Sequence, residues 1–241
     1  MRSSMGRGFS SDIRDDITVA IHQPCFLPYY GYFQKIFESD IFVFLDDTQF
    51  SNNNYQNYNY IVTPQGLSKV KVPVKKHFGD KICDTCINYE TGWINKLKKT
   101  IEYNYKRAEH YSEASELVYS ALDKTPRTLS ELNIDIVTSI AQRMGITTEF
   151  KLASDSTKEG NGTEQLISIT KALKAPKYLS GNGAKAYQEE EKFESENISL
   201  KYVELKNPLY KQQWGTQEAN PSFLDYIMNE GFIIPKEWNT I

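Results

Sequence analysis

The sequence predicts an α/β protein: a mostly parallel sheet with helices on both faces, a β-hairpin inserted after the second strand, and a helical middle section. Three observations predict it. Ile17–Ile21 and Ile41–Leu45 are short, continuous apolar runs, the pattern of central parallel strands covered on both faces. A helix-length segment separates them, which gives a βαβ unit over residues 17–46 with a right-handed crossover. Beyond residue 148, strand-like and helix-like runs alternate again.

The first strand, Ile17–Ile21, runs into His22-Gln23-Pro24-Cys25-Phe26-Leu27-Pro28. Two prolines fix φ and remove backbone donors, so this loop is stiff. Pro28 suits a first helical position, and the predicted helix covers Tyr29–Ser39. Ile41–Leu45 then delivers Asp46 and Asp47 to the carboxyl end of the second strand, beside the His22 loop. Gln49–Tyr60 is crowded with Asn and Tyr and has no useful period; Asn favours turns. Ile61–Thr63 and Ser68–Val74 read as a hairpin around Pro64-Gln65-Gly66. Lys69, Lys71, Lys75 and Lys76 give it a basic face.

From Trp93 the period becomes helical. Ile94, Leu97, Ile101 and Tyr105 share one helix face. A second helix covers about Ser112–Asp123. A third opens on a capping box of Thr128 and Glu131, carries the stripe Leu132, Ile136 and Ile140, and stops at Gly145. Thr148–Ala153 is a strand, and Asp155–Gly162 a polar, glycine-rich mobile loop. Asn161 and Glu164 are placed to cap a helix over Thr163–Leu173. Tyr178–Ser180 is a short strand ending in Gly181-Asn182-Gly183, before a helix holding Tyr187. Ile198–Leu205 is the last strand. The expected organisation is a disordered leader, 1–16, and one domain over 17–241.

The chain has 241 residues and a net charge of −3, so no global basic field draws in nucleic acid. Aromatic residues reach 13%, with 16 Tyr, which suit half-wet pockets and a homodimer surface alike. No stretch approaches the ~18 apolar residues of a membrane span. The arginines near the N-terminus lack the apolar core of a secretory signal. Three cysteines, an odd number, fit a reducing compartment, and a cytoplasmic location is expected.

His22 is the leading candidate for chemistry, because imidazole exchanges protons near neutral pH. Its plainer role would be to tie the loop to the backbone. Asp46 and Asp47 could accept hydrogen bonds from a ribose, an amino sugar or a metal, or could cap their own turn. Lys35 could reach a phosphate as a point charge, or be a solvated surface lysine. The Gly181 amides could hold an anion at a helix start, although Ser180-Gly181-Asn182-Gly183 is neither GxGxxG nor a P-loop. Cys83-Asp84-Thr85-Cys86 spells CxxC without a second pair, and its flanks look extended, so ordinary strand cysteines are expected and no metal. Asn52–Tyr60 with the basic hairpin has a flavour of single-stranded nucleic acid. The acidic total opposes that, and a polar rim for a hydroxyl-rich ligand fits Asn, Gln and Tyr better.

Four runs, HQPCFLPYYGYFQKI, DIFVFLDDTQF, YLSGNGAKAY and FLDYIMNEG, resemble the WbqC-like proteins, in order from about Ile17 to Gly231. The resemblance implies a Rossmann-like α/β domain and work on nucleotide-linked deoxyamino sugars in bacterial O-antigen and other surface-polysaccharide biosynthesis. Attachment of an amino-acid or acyl group to the sugar amine is the implied reaction. By resemblance, the family's marked positions are His22, Gln23, Pro24, Lys35, Asp46, Asp47, Gln49, Asn57, Asn59, Ser180, Gly181 and Tyr187, with Gln213 matching a further glutamine. Gly183 joins Gly181 in the same turn. Tyr58 stands where the family pattern leads one to expect arginine, and Cys25-Phe26 replace a commoner Asn-Tyr pair.

The expected site lies at the carboxyl ends of the strands, with His22, Asp46 and the Asn57 loop on one wall and Ser180-Gly181 on the other. Acyl transfer to an amine needs a base for the ammonium proton and donors for the oxyanion. His22 would be the base, with Asp46 or Asp47 orienting it or holding the sugar amine. Gln23, Asn57 and Asn59 would hold hydroxyls or the oxyanion, and Lys35 and Gly181 phosphate. Gln49, Tyr187 and Gln213 would complete the substrate contacts. No resident cofactor is expected; the donor would be a thioester of coenzyme A or of an acyl carrier protein. A nucleotidyl-transfer enzyme, in which the histidine loop steadies a pentavalent phosphate, is a second reading. A non-catalytic sugar-nucleotide binding protein is a third.

Overall fold

Strand-forming runs of Ile, Val and Phe, interrupted by prolines, asparagines and glycines, set the element order. The computed structural model describes residues 16–52, 54–156, 158–186, 188–214 and 220–239. In chain order the elements are β1 (Thr18–His22), α1 (Tyr30–Phe37), β2 (Ile41–Phe44), β3 (Tyr58–Thr63), β4 (Gly66–Lys71), β5 (Val74–Lys75), β6 (Cys86–Ile87), α2 (Trp93–Tyr105), α3 (Tyr111–Asp123), α4 (Leu129–Arg143), β7 (Glu149–Leu152), α5 (Thr163–Ala172), β8 (Lys177–Ser180), α6 (Glu190–Ser195), β9 (Ser199–Tyr202) and α7 (Phe223–Glu230). The predicted leader falls outside the described residues except for Asp16.

The main sheet has five strands in the order β7-β2-β1-β8-β9, every neighbouring pair parallel. Counted along the sheet this is the doubly wound arrangement, with the direction of winding reversing between β1 and β8. The α/β, Rossmann-like expectation is met. Side chains alternate across the strands. Ala20, Phe42, Phe44 and Leu179 face one way, into a large core built with α1, the β3–β4 hairpin, α2 to α4 and α7. Val19, Ile21, Ile41, Val43 and Tyr178 face the other way, under Ile167 and Ile169 of α5 and Phe193 of α6. Both faces are therefore covered, which is why the strand sequences carry no polar alternation. Among the described residues no helix is long and apolar enough to cross a membrane.

Several boundaries differ from the sequence reading, each for a local reason. His22 closes β1 rather than opening the loop, because its backbone pairs with Phe44 of β2. Pro28 stands before Tyr29, the N-cap of α1, and so lies outside the helix. The hairpin starts at Tyr58, since Tyr58 and Asn59 pair with Lys71 and Val70 despite their turn-favouring neighbours. Cys83 lies in a 3-10 turn over Ile82–Asp84, while Cys86 is in β6. Gly162, not Asn161, is the N-cap of α5, and no side chain caps it. The segment after β8 forms a 3-10 turn over Asn182–Ala184, with Glu190 opening the next α-helix. The capping box on α4 is present in both directions, and Gly145 follows its end with φ +76.

α7 carries Asp225 into the large core, where it is fully buried and accepts a 2.8 Å hydrogen bond from the Tyr210 hydroxyl. Burial pushes its carboxyl up to about 6, against the pull of hydrogen bonds from Tyr210, Tyr105 and Gln212. The native state therefore holds this proton more tightly than the unfolded chain does. The group's contribution to stability is complete below about pH 4 and falls as pH rises to about 6, by roughly 3 kcal/mol at full extent. Asp225→Asn keeps an acceptor for Tyr210 and cannot ionise. Its thermal midpoint should exceed that of the wild type at pH 8 and converge with it near pH 4, as followed by calorimetry.

Candidate functional site

β1 and β8 lie side by side, and their connections leave in opposite directions. Their carboxyl ends, His22 and Ser180, therefore flank the crevice where α/β sheets take ligands. Being the last residue of β1, His22 projects its ring to the Ala20 face. There it meets the Tyr32 ring edge-on, centroids 4.8 Å apart. Nδ1 lies 3.0 Å from the carbonyl of Gln23. A carbonyl only accepts, so Nδ1 carries the hydrogen and Nε2 is left as the ring's acceptor. Burial, reinforced by the nearby Lys35 ammonium, lowers the imidazole to about 4, opposed by the Gln23 hydrogen bond.

His22 is thus a neutral imidazole at physiological pH. Its ring nitrogens, followed by 15N NMR, should keep the Nδ1–H tautomer from pH 8 to about 5 and titrate near 4. Because the unfolded chain protonates near 6.5, the stability this group contributes is complete above that pH and is lost as pH falls through about 4. A ring that titrates near 6.5 in the folded protein would contradict this geometry.

Lys35, on α1, is only 3% exposed, and its Nζ donates to the Ile21 carbonyl at 2.7 Å. Burial pulls its ammonium down to about 7, while Cys25 raises it. It lies under β1, against the backbone, so the expectation that it reaches a phosphate is not supported by its position. Cys25 has its Sγ 4.0 Å from Nδ1 of His22. Burial pushes its thiol up to about 12, the reverse of what an activated nucleophile needs.

The proline loop is held by amide side chains. Asn59 Nδ2 donates to the carbonyls of Leu27 (2.8 Å) and Phe26 (3.3 Å). Asn133 Nδ2, from α4, donates to Pro24 (3.1 Å) and Gln56 (2.8 Å) carbonyls. Gln56 Nε2 donates to Gln23 Oε1 at 2.9 Å, and Gln23 Nε2 to Thr48 Oγ1 at 3.0 Å. Asn57 Nδ2 donates to Val72 O at 3.0 Å, and its buried Oδ1 has no partner among the described residues. These contacts hold Leu27 at φ +43, a conformation a leucine adopts only when its surroundings impose it. Asn57 and Asn59 are buried beneath the loop. They position it, and do not line the crevice as a polar rim. Gln23 is half-buried beside His22. Exposed Gln49 pairs with Lys81 in a single β-bridge.

The two aspartates are already occupied. Asp46 accepts from the Ser154 backbone N–H (3.0 Å) and hydroxyl (2.7 Å), tying the end of β2 to the turn after β7. Asp47 forms an ion pair with Lys158, and its buried Oδ1 has no hydrogen-bond partner among the described residues. Neither is hydrogen-bonded to His22. Lys158 was not identified from the sequence, where only a polar loop was visible.

On the other wall Ser180 is buried, and Gly181 and Gly183 begin and occupy a short 3-10 turn. That turn is too short for a helix dipole, so the anion-binding argument from a helix start does not carry over. Neither glycine has positive φ, and a Cβ at either would meet nothing within 4 Å. Protein packing does not require glycine there, whereas a closely approaching ligand would. Tyr187 lies outside the described residues. Gln213 precedes Trp214, whose indole donates to the Asn104 carbonyl of α2 at 3.1 Å; the buried Oε1 of Gln213 has no partner among the described residues. At the departure noted above, Lys69 Nζ stands 3.4 Å from the Tyr58 ring centroid, so a cation occupies this neighbourhood without an arginine. The three cysteines are free thiols, and among the described residues no cluster of three or more His, Cys, Asp or Glu is placed to hold a metal.

Comparison with known proteins agrees with the four sequence runs. The model of the WbqC-like protein family matches residues 23–234. The chain belongs to the WbqC-like family. It is also 33% identical over 221 residues to the uncharacterised protein Rv1507c of Mycobacterium tuberculosis (strain ATCC 25618 / H37Rv), an alignment covering 90% of this chain and 95% of that relative. The family match begins at Gln23, one residue after His22, and so takes in Gln23–Pro28, the β3–β4 hairpin and Ser180-Gly181, with His22 itself just outside it.

Proposed function

We propose that this protein binds a nucleotide-linked deoxyamino sugar at the β1–β8 crevice and transfers an acyl or aminoacyl group to the sugar amine. The observation that carries the reading is His22: a neutral imidazole fixed at the switch point, Nδ1 committed to Gln23 O, Nε2 left as an acceptor. The amine attacks the carbonyl carbon of a thioester. Nε2 takes the proton that the attacking nitrogen sheds and returns it to the sulfur as the tetrahedral intermediate collapses and the C–S bond breaks, so that a thiol leaves and the imidazole is neutral again. The donor is a thioester of coenzyme A or of an acyl carrier protein. Asp46 and Asp47 support the strand ends on which the site rests. Doubly wound sheets take nucleotides at this place, which supports the substrate class by analogy of fold.

The test is incubation with UDP- and dTDP-linked amino sugars and a panel of acyl thioesters. The sugar product is followed by mass spectrometry and the free thiol by a colorimetric reagent. A product heavier by the acyl group, with one thiol released per product, is expected. Because neither aspartate orients His22, a sugar-nucleotide binding protein without turnover is the second reading. It gives saturable binding of the nucleotide sugar and no product with any donor.

A further inference from the structure

The β3–β4 hairpin turns one face into the core and the other outward, because side chains alternate along a strand. Asn59 and Ile61 of β3 and Val70 of β4 are buried. On the opposite face Tyr58 and Tyr60 are half-buried and stand across from Lys71 and Lys69, which are exposed. Tyr55, just before β3 and 52% exposed, extends the row. Its ring centroid lies 5.4 Å from that of Tyr58, which lies 6.1 Å from that of Tyr60. Lys69 rests its ammonium on the Tyr58 ring, which holds the cation in place. The outer face is a row of three tyrosine rings edged by two lysines.

Its charge runs against that of the molecule. The chain carries −3 overall, yet no Asp or Glu occurs between Asp47 and Asp80, a stretch with four lysines. Lys75 is paired with Glu90, whereas among the described residues Lys69 and Lys71 have no acidic partner. Uncompensated cations favour an anion, and a row of π faces favours a planar ring; a nucleotide supplies both. The hairpin also adjoins the imidazole. Phe26 of the proline loop donates its N–H to the Tyr55 carbonyl at 3.0 Å. From Phe26 back to His22 is at most about 14 Å of extended chain. The His22 ring, against Tyr32, lies on the sheet face that the hairpin covers.

We infer that this face holds the nucleotide end of the acyl donor, coenzyme A: adenine on the tyrosine row, phosphates on Lys69 and Lys71, and the pantetheine arm following the proline loop to His22. The inference deepens the acyl-transfer reading given above and rests on it for the choice of donor. A carrier protein would bring acidic side chains to the lysines but no planar ring to the tyrosines. A nucleic-acid strand would run on beyond this short face, over a chain of net negative charge.

The experiment is calorimetric titration of the full chain with coenzyme A, adenosine 3′,5′-bisphosphate, pantetheine, UDP and dTDP. Wild type should bind coenzyme A and the bisphosphate, and pantetheine far more weakly. Tyr55→Ala and the double variant Lys69→Gln/Lys71→Gln should each weaken coenzyme A and the bisphosphate about tenfold or more, with UDP and dTDP unaffected. All three positions are exposed, so the variants keep the fold, and Lys69→Arg/Lys71→Arg should restore binding. Coenzyme A affinity equal in wild type and variants overturns the inference. So does displacement of the bisphosphate by UDP or dTDP, tighter binding of an oligothymidylate that the same variants abolish, or acyl transfer from a carrier-protein thioester alone. UDP or dTDP bound without coenzyme A removes the role of the hairpin and leaves the reading of the crevice. Coenzyme A bound as expected, with neither UDP nor dTDP bound, removes the nucleotide-sugar reading and leaves the hairpin as a coenzyme A site.

Discussion

His22→Ala should reduce acyl transfer by about a hundred- to ten-thousand-fold, the range typical of a lost general base. The effect should fall on kcat, because Nε2 acts on a proton that moves only in the transition state. The fold should survive. Alanine removes one hydrogen bond to Gln23 O, worth about 1 kcal/mol, and one edge-on contact with Tyr32, worth about 0.5–1.5 kcal/mol. The Gln23 carbonyl is not orphaned, because the Tyr32 hydroxyl still donates to it at 3.0 Å. For a chain of this length the thermal midpoint should drop by only several degrees. Turnover equal to wild type would remove His22 from the mechanism. A product-free wild type with nucleotide affinity that His22→Ala leaves intact would instead favour the binding-protein reading.

The sheet was legible because its signal is local. Ile41–Leu45 can hardly be anything but a covered strand, and Thr128 with Glu131 announces a helix start within four residues. The site was legible only in part, because the roles of polar residues depend on distant partners. An asparagine can line a wet rim or satisfy a buried carbonyl, and Asn59 differs from a rim residue only through Leu27, 32 positions away. A loop without regular pairing must send its carbonyls somewhere. That demand, more than any motif, explains the crowd of Asn and Gln around residues 56–59. Lys35 did carry a usable signal. It follows Tyr32 by three residues, so the two share one side of α1, a helix buried from Tyr30 to Ile36, where a phosphate-seeking lysine is out of place.

Asn133 is where the other large effect is expected, although it lies on a helix far from the chemistry. Its single NH2 group serves Pro24 O and Gln56 O together, 109 and 77 residues away in sequence. Asn133→Leu keeps the number of side-chain heavy atoms and does not weaken the helix, leucine being the better helix former, but leaves both carbonyls buried without this donor. Each such loss costs about 1–3 kcal/mol, so a destabilisation of about 2–6 kcal/mol is expected, a large share of the total stability of an ordinary domain. Asn133 Oδ1 is already unpaired, so the leucine relieves one burial cost and the expected value lies toward the lower end. The consequence for the site is larger than the stability figure suggests. Pro24 follows Gln23, whose carbonyl fixes the tautomer of His22. Slack at Pro24 therefore reaches Nε2 through two peptide units. Urea titration should show a lower midpoint at unchanged slope, and the 15N signature of the His22 ring should lose its single Nδ1–H tautomer. A leucine variant that unfolds like wild type, with the His22 ring unaltered, would show that the prolines, Asn59 and Gln56 hold the loop and that α4 contributes nothing to it.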